Sequence, residues 1–488
     1  MEKSPTSTTL TNPSAADLIP LWVFLTNSNH HSNYFKLIKS NCFMKMTSKL
    51  VNILMMGLLL TGFSACNDDP EPDETEVPVA TEIVKVAGSI TADTKWTADK
   101  QYLLTNFVYV KSGATLTIEP GTIIKGDKVT KGALFVERGG KIMAVGTATQ
   151  PIVFTSNEAA GQRRAGDWGG LVILGKAPVN KTPAVVEGEE ITQFGGTEVT
   201  DNSGELKYVR IEFAGIAYAT DKEINSLTMG GVGSGTKIEY VQCSYGGDDA
   251  FEWFGGTVNA KHLISYRGLD DDFDTDNGFS GMVQYGLIIR DPAVADQAGD
   301  SNAFESDNDA TGTTAMPQTT AKFANITVAM GAGTPDGKFA SGARIRRNSA
   351  ISIYNSVFTG AWPRSGVRVE AASLPNFTSG LLKLEGIHVA LSGTQSQGAI
   401  EGLTAEQFAA GAKNGLSTVA SLLLPAGFNS ISAKPTVLPQ AGSPLLTGGT
   451  TLPAGFEPTT YAGAFNTTDW TEGWANWDPQ NTNYDLKK

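Results

Sequence analysis

The chain repeats itself, and the repeat is too short to fold alone. FVYVKSGATLTIEPGTIIKG (107–126) and LFVERGGKIMAVGTATQPIVF (134–154) share one outline: a short β-branched strand, a glycine turn and a second short strand. Val110 aligns with Val136 and Gly113 with Gly139, a spacing of 26 residues. WGGLVILGKAPV (168–179) is a further unit. A clearer series of first strands follows: LKYVRIEFAG (206–215), IEYVQCSYGG (238–247), HLISYRG (262–268), YGLIIRD (285–291), FANITVAM (323–330) and ISIYNSVFTG (351–360). Each precedes a turn and a second strand: SLTMGG, AFEWFGG, DFDTDNG, AFESDND, ARIRRNS and GVRVEAA. Tyr245 to Tyr266 is 21 residues and Phe251 to Phe273 is 22. Later units lengthen where loops intrude, as at 292–302 and 310–320.

A unit of this size cannot bury its own apolar face, so it must stack on its neighbours. Strands of successive coils then pair in parallel, ~4.8 Å apart, with Val, Ile, Leu and Phe filling the lumen. The expected fold is all-β, a right-handed parallel β-helix of the pectate-lyase type, over residues 83–372. The 54 glycines in 488 residues, against an average of ~7%, suit its many turns. A β-propeller or sandwich is the alternative, but it needs antiparallel hairpins, and two-residue Asn-Gly or Asp-Gly turns are few. Residues 373–440 read as late coils with an inserted short helix, LTAEQFAAGAKNG (403–415), where Thr404 and Gln407 form a capping box. Residues 441–488, with Trp470, Trp474 and Trp477, read as a C-terminal cap over the open end.

Residues 44–66, MKMTSKLVNILMMGLLLTGFSAC, carry Lys45 and Lys49, then an eleven-residue, largely apolar run, Leu50 to Leu60, then small residues before Cys66. The run is too short to span a bilayer, which takes ~20 residues. The stretch resembles a bacterial lipoprotein signal peptide (44–65), which implies cleavage before Cys66, lipidation of Cys66 and membrane attachment through that lipid alone. NDDPEPDETE (67–76) lies within an acidic linker (66–82) and resembles the surface-export signal of Bacteroidota lipoproteins. An outer-membrane, cell-surface location is therefore expected. Residues 1–43 show no pattern, and an internal signal is physically odd, so the start is expected at Met44 or Met46. Cys243 is then the one thiol left, a small buried hydrophobe.

The net charge of −13 argues against a nucleic-acid partner. Four histidines (His30, His31, His262 and His388) exclude a His-rich metal site, and three cysteines exclude a disulfide framework or a zinc site.

GLDDDFDTDNG (268–278) holds five aspartates in eleven residues. Aligning the second strands puts Phe251, Phe273 and Phe304 in one inward column. The next residues, Glu252, Asp274 and Glu305, then point outward, as do Phe254, Asp276 and Asp307 two further on. The following coil presents Arg344 and Arg346, and the one after it Arg368 and Glu370. Carboxylates stacked at the rung spacing cannot all stay ionised unaided. A cation, the arginine row, or a retained proton must relieve them. Asp248, Asp249, Asp270, Asp271 and Asp272 add oxygen donors at the preceding turns. An all-oxygen set suits Ca²⁺ rather than Zn²⁺. It is not an EF-hand: Asn277 replaces the glycine and Val283 stands where glutamate is needed. The expected metal ligands are Asp248, Asp249, Glu252, Asp271, Asp272, Asp274, Asp276, Glu305 and Asp307.

The runs GALFVERGGKIMAVGTATQPIVFTSN, GDWGGLVILGKAPVN, GTKIEYVQCSYGGDDAFEWFGGTVNAKHLISYRGLDDDFDTDNG and GARIRRNS resemble a family of predicted β-helix surface lipoproteins from Bacteroidota and other marine bacteria. The resemblance spans nearly all of residues 80–488 and implies fold and location rather than an activity. Two functions fit. The first is capture of a glycan or other extracellular ligand, with Tyr245, Tyr266, Phe254, Arg344 and Arg346 as contacts, and service to an outer-membrane transporter as one option. The second is a polysaccharide lyase or glycoside hydrolase acting on acidic polysaccharide through Asp274, Asp276, Glu305, Asp307, Arg344 or Arg346. DTDNG faintly resembles the polygalacturonase NTDG motif, but that family's Gly-His-Gly motif is absent and Arg346 stands where lysine is expected. With no histidine or lysine beside the acids to shuttle protons, binding is the preferred reading.

Overall fold

The structure is a computed structural model that describes residues 80–186, 192–219 and 222–485. The readings made for residues 1–43, the signal at 44–65, Cys66 and the linker as far as residue 79 lie outside the described residues.

The repeat closes into a parallel β-helix with three strand positions per coil rather than two. The long strands Gly204–Glu212, Lys237–Ser244, Asn259–Tyr266, Met282–Arg290 and Lys322–Met330 each serve two ladders. Both halves pair in the same register, and the pairing skips one residue at the same place in every coil. The break is one residue in the left-handed region: Tyr208, Tyr240, His262, Tyr285 and Asn325, with φ between 50° and 65°. A non-glycine residue there costs ~1–2 kcal/mol. Stacking of the rings offsets it. Tyr208 lies on Tyr240 at 4.5 Å, Tyr240 on His262 at 4.2 Å, and His262 on Tyr285 at 4.8 Å. Such pairs contribute ~0.5–1.5 kcal/mol each. At the corner the inward positions step by three rather than two, from Leu206 to Val209, Ile238 to Val241 and Phe323 to Ile326, within an otherwise continuous strand-like run.

The third ladder carries the acidic residues. It runs through Ala133–Val136, Gly170–Leu174, Leu227–Gly230, Phe251–Phe254, Phe273–Asp276, Phe304–Ser306, Ser341–Ile345, Ser365–Val369 and Ile400–Glu401. Its inward column is the expected one. Phe251, Phe273 and Phe304 meet edge to face at 5.5 and 5.3 Å, and Trp253 is buried in the lumen among them. Polar lumen positions satisfy each other, as in the chain of hydroxyls Thr275, Ser306 and Ser349 at 2.7 and 2.6 Å. Cys243 is buried in its strand, as expected, and burial pushes its thiol pKa up.

The pairing continues past residue 372 to Gly415–Leu416. The capping box forms at Thr404 and Gln407, opening a helix of five residues, Ala405–Ala409.

The C-terminal segment does not sit over the open end as expected. It runs back along the outside of the coils as a strap. The side-chain amides of Asn355, Gln284 and Gln242 each bond both backbone groups of one strap residue: Thr450, Glu457 and Asn476. Trp474 and Phe465 bury themselves against Ile264, Tyr266, Leu287 and Ile289. At the far end the Tyr484 hydroxyl donates to Glu212 at 2.8 Å, and buried Arg163 donates to the carbonyls of Pro479 and Thr482. The strap covers an apolar outward face that the coils alone would leave wet.

Candidate functional site

On the third ladder, residues between the inward Phe and Trp positions face outward. One row reads Glu252, Asp274, Glu305, Arg344, Arg368 and Glu401 on successive rungs. A second pairs Phe254 with Asp276, and Asp307 follows on the next coil. Two sets of loops wall the face. On one side the turn at 300–302 comes down on the acids: the Ser301 hydroxyl donates to Asp270 at 3.0 Å and the Asn302 amide donates to Asp271. On the other, the Asn180 amide donates to the Asn277 carbonyl at 3.0 Å, and its side chain bonds the carbonyls of Asn308 and Pro317. The acids therefore lie on the floor of a trough. Asp249, Glu252, Asp271, Glu305 and Asp307 are 7, 8, 5, 9 and 6% exposed, so they are not the solvated surface that a run of charge ordinarily forms.

The arginine row neutralises only the last acidic rung. Arg346 binds Glu305 and, at 2.8 Å, Asp307; Arg347 adds a contact to Asp307 at 2.7 Å. Arg344 reaches Glu305 at 3.1 Å, Asp300 at 3.0 Å and Glu370 at 2.9 Å. Burial alone would lower these two guanidinium pKa values, but Glu305 and its neighbours raise both.

Upstream the carboxylates face each other. Three sets, Asp248–Asp249–Asp270, Asp249–Glu252–Asp274 and Asp271–Asp274–Glu305, each bring three carboxylate oxygens within 4.8 Å of one another. Asp249 and Asp274 belong to two sets each. Burial and then the neighbouring carboxylates push Asp249, Asp271 and Asp274 well above the usual carboxylate range. Asp270 and Asp276 are raised to about 6 and Glu305 to about 7. Burial is the main cause, with Asp296 adding to it for Asp270, and Asp307 for Asp276 and Glu305. The Asp274 Oδ1 atom is buried without a hydrogen-bond donor among the described residues. A cluster of oxygens with an unpartnered member fits a hard cation such as Ca²⁺ and does not fit a metal that prefers nitrogen or sulfur.

Several residues expected at the site lie elsewhere. Asp272 is fully buried, accepting from Ser265 and paired at 3.1 Å with the equally buried Arg290, so it belongs to an internal ion pair. Phe254 points outward but lies under Phe194 of the loop between the strands Gly170–Leu174 and Gly204–Glu212. Tyr266 stands on the second ladder, buried beneath Trp477 of the strap. Tyr245, at the end of that ladder, packs on Phe213 and receives a hydrogen bond from Arg267 at 2.9 Å. None of these three aromatics is open on the trough. Arg344 and Arg346 do lie in it, committed to carboxylates. Sequence reasoning missed Asn225, which donates to Glu252, and the 300–302 turn. Both come from loops whose return to the trough leaves no periodic signal.

The family model for the pectate-lyase-like β-helix domain matches residues 88–421. No curated protein sequence matches the chain. Among solved structures, the Dettilon tailspike protein (gp208) aligns at 13% identity and a TM-score of 0.26, over 65% of this chain and 61% of that one. The alignment thus spans less than two thirds of the tailspike chain. The matched region takes in almost every coil of the solenoid, and the chain belongs to the pectate-lyase-like β-helix domain family.

Proposed function

We propose that this protein is a glycan-binding β-helix whose acidic trough holds Ca²⁺, displayed at the cell surface through a lipid on Cys66. The observation that carries the cation is the set of overlapping carboxylate triads around the unpartnered Asp274 Oδ1. Asp249, Glu252, Asp271, Asp274 and Glu305 would hold the ion, with Asp248 and Asp270 at the upstream end. A cation there relieves the mutual repulsion and leaves outer coordination positions for hydroxyl or carboxylate oxygens of a sugar. Support for a carbohydrate ligand comes from the pectate-lyase-like family itself. Service to an outer-membrane transporter is one use of such a protein. The test is calcium titration followed by native mass spectrometry, with Asp274→Asn as control. Failure of the wild-type protein to retain calcium at millimolar supply removes the cation reading.

One observation favours cleavage of an acidic polysaccharide as a second reading. Asp274 and Glu305 stand on adjacent rungs, and Glu305 is held at about 7, a range suited to a general acid. The rung spacing of ~4.8 Å is close to the ~5–5.5 Å of retaining glycosidases. An arginine base, as a lyase would use, is disfavoured because Arg344 and Arg346 are locked in ion pairs. Release of reducing ends from acidic polysaccharides, lost in Asp274→Asn, distinguishes the enzyme from the binder.

A further inference from the structure

The strap is held by different chemistry along its length. Its middle is anchored by apolar burial, with Phe465 and Trp474 packed on Ile264, Tyr266, Leu287 and Ile289. Beyond Trp477 the grip is polar and comes from the first coils. Arg163 donates to the carbonyls of Pro479 and Thr482 at 2.7 and 2.8 Å, and the Gly161 amide donates to the Gln480 carbonyl at 2.7 Å. The Gln101 side chain donates to the Tyr484 carbonyl at 2.6 Å, and the Tyr484 hydroxyl donates to Glu212 Oε1 at 2.8 Å. Tyr484 is the one aromatic residue among 478–485, and the Arg163 guanidinium lies 4.8 Å from its ring centroid.

The polar chamber beneath this end is incompletely matched. Gln101, Lys125, Thr155, Arg163 and Glu212 are all buried. Lys125 pairs with Thr155 on the next rung, and Glu212 follows one rung on, directly after Ile211, the partner of Phe154. The side-chain amides of Asn355, Gln284 and Gln242 each hold both backbone groups of one strap residue, but Gln101 holds only a carbonyl: its Oε1 atom is buried without a hydrogen-bond donor among the described residues. Glu212 Oε2 and Arg210 Nε are likewise buried without a hydrogen-bond partner there. The Lys125 ammonium has the exposed Asp485 carboxylate as its partner, at 3.6 Å. Unmet buried polar groups regain water when their cover lifts, so each of them favours opening. Glu212 concentrates this tension. Facing it are Arg210 of its own strand at 3.6 Å, Tyr484 of the strap, Thr155 of the preceding rung and Arg163 of the loop 157–169. Burial raises its pKa above the usual carboxylate range, against the pull of Arg210, Tyr484, Thr155 and Arg163. A carboxyl group that is raised only while covered binds its proton more tightly in the closed state, so protons favour closing and rising pH favours opening.

We infer that residues 478–485 are a latch that lifts from the first coils while the middle of the strap stays in place, and that a proton on Glu212 holds the latch shut. Lifting it uncovers Lys125, Arg163 and Arg210 together, three cations on a chain of net charge −13. The middle of the strap stays because its hold is apolar and does not titrate. The latch is independent of the calcium and glycan readings, since none of its residues lies in the trough.

The test is amide hydrogen exchange read by mass spectrometry, on residues 67–488 with calcium present, from pH ~5 to ~9 and corrected for the intrinsic exchange rate at each pH. The protection of residues 478–485, and of the Gly161 amide that bonds Gln480, should be lower than that of residues 460–475. It should fall by about tenfold or more as pH rises, while residues 460–475 keep theirs. Glu212→Gln keeps the shape of the side chain and removes its ionisation, so protection of the latch should become independent of pH. Tyr484→Phe removes the bond from the strap side, where the coils cannot be disturbed, and should lower latch protection at every pH without touching residues 460–475. A flat profile in the wild-type protein overturns the proton, as does an unchanged slope in Glu212→Gln. Loss of protection in residues 460–475 in step with 478–485 overturns the latch, because the strap then opens as one piece.

Discussion

Asp274 stands directly opposite Glu305 on adjacent rungs of one parallel ladder, and oxygens of the two, with one from Asp271, lie within 4.8 Å of one another. The ladder imposes this closeness. Side chains at one register position cannot move apart without breaking backbone hydrogen bonds, so the repulsion that Arg344 and Arg346 leave unanswered is relieved by protons or by a cation.

This gives the metal-free protein an unusual pH profile. Asp270, Asp276 and Glu305 are raised to about 6, 6 and 7, and Asp249, Asp271 and Asp274 also stand well above the usual carboxylate range. The folded state therefore binds more protons than the unfolded state above pH ~4, and stability falls as pH rises through that window. His262, lowered to about 4, and His388, also lowered, both by burial, work the other way below pH ~6.5, but they are two groups against these six. Thermal melts in EDTA should show Tm dropping from pH 4.5 to 7.5, and calcium should flatten the drop. A flat profile in EDTA would remove the argument.

Arg346→Ala takes away the arginine that Glu305 and Asp307 share, leaving Glu305 to Arg344 alone and Asp307 to Arg347 alone. Breaking a buried pair in this way costs about 3–5 kcal/mol. Urea unfolding measures it, and a loss below ~1 kcal/mol, the value of an exposed pair, would show the trough to be open to water.

Two neighbouring aspartates should behave oppositely. Asp272→Asn weakens the hold on fully buried Arg290 and should destabilise the protein by about 3 kcal/mol or more. Asp274→Asn removes a charge from a repelling cluster, so without metal it should raise Tm while abolishing calcium retention. Equal destabilisation by both would mean that Asp274 is a structural residue.

The strap should behave as part of the fold. Trp474→Ala opens a cavity beside Tyr208 and Tyr240 and should cost about 3–5 kcal/mol. Gln242→Ala leaves both backbone groups of Asn476 without their partner, a cost of about 1–3 kcal/mol. Protease resistance of residues 450–485 in both variants, equal to wild type, would contradict this.

His262, enclosed by Tyr240, Tyr285 and Trp470, should remain neutral through the physiological range. Its ring signals in a proton NMR titration should not move above pH ~5.5. A midpoint near the ordinary ~6.5 would mean that the aromatic stack is not closed over it.

The repeat was legible because spacing is a property of the chain. Phe251, Phe273 and Phe304, read from the sequence as one inward column, are paired in that register, and their neighbours Glu252, Asp274 and Glu305 form the outward row. Period-two alternation carries this information locally. The corner at Tyr240 was missed: the left-handed residue inside IEYVQCSYGG marks itself only by one step of three between inward residues, Ile238 to Val241, within a run that otherwise looks like a single strand. Asp272 and Asp274 likewise look alike in DFDTD, yet one meets Arg290 in the interior and the other the trough.

By itself, then, the sequence determined the parallel solenoid, the inward and outward residues of its third ladder, and the order of acids and arginines along it. All of these follow from repeat length and from side chains alternating across a strand. It took the folded chain to bring Asn180 and the turn at 300–302 over the acidic face and wall it into a trough. Folding also sets the C-terminal segment along the coils, covering Tyr266, rather than over their end. Those outcomes depend on contacts between residues far apart in the chain, as between Gln101 and Tyr484, and no local pattern records them.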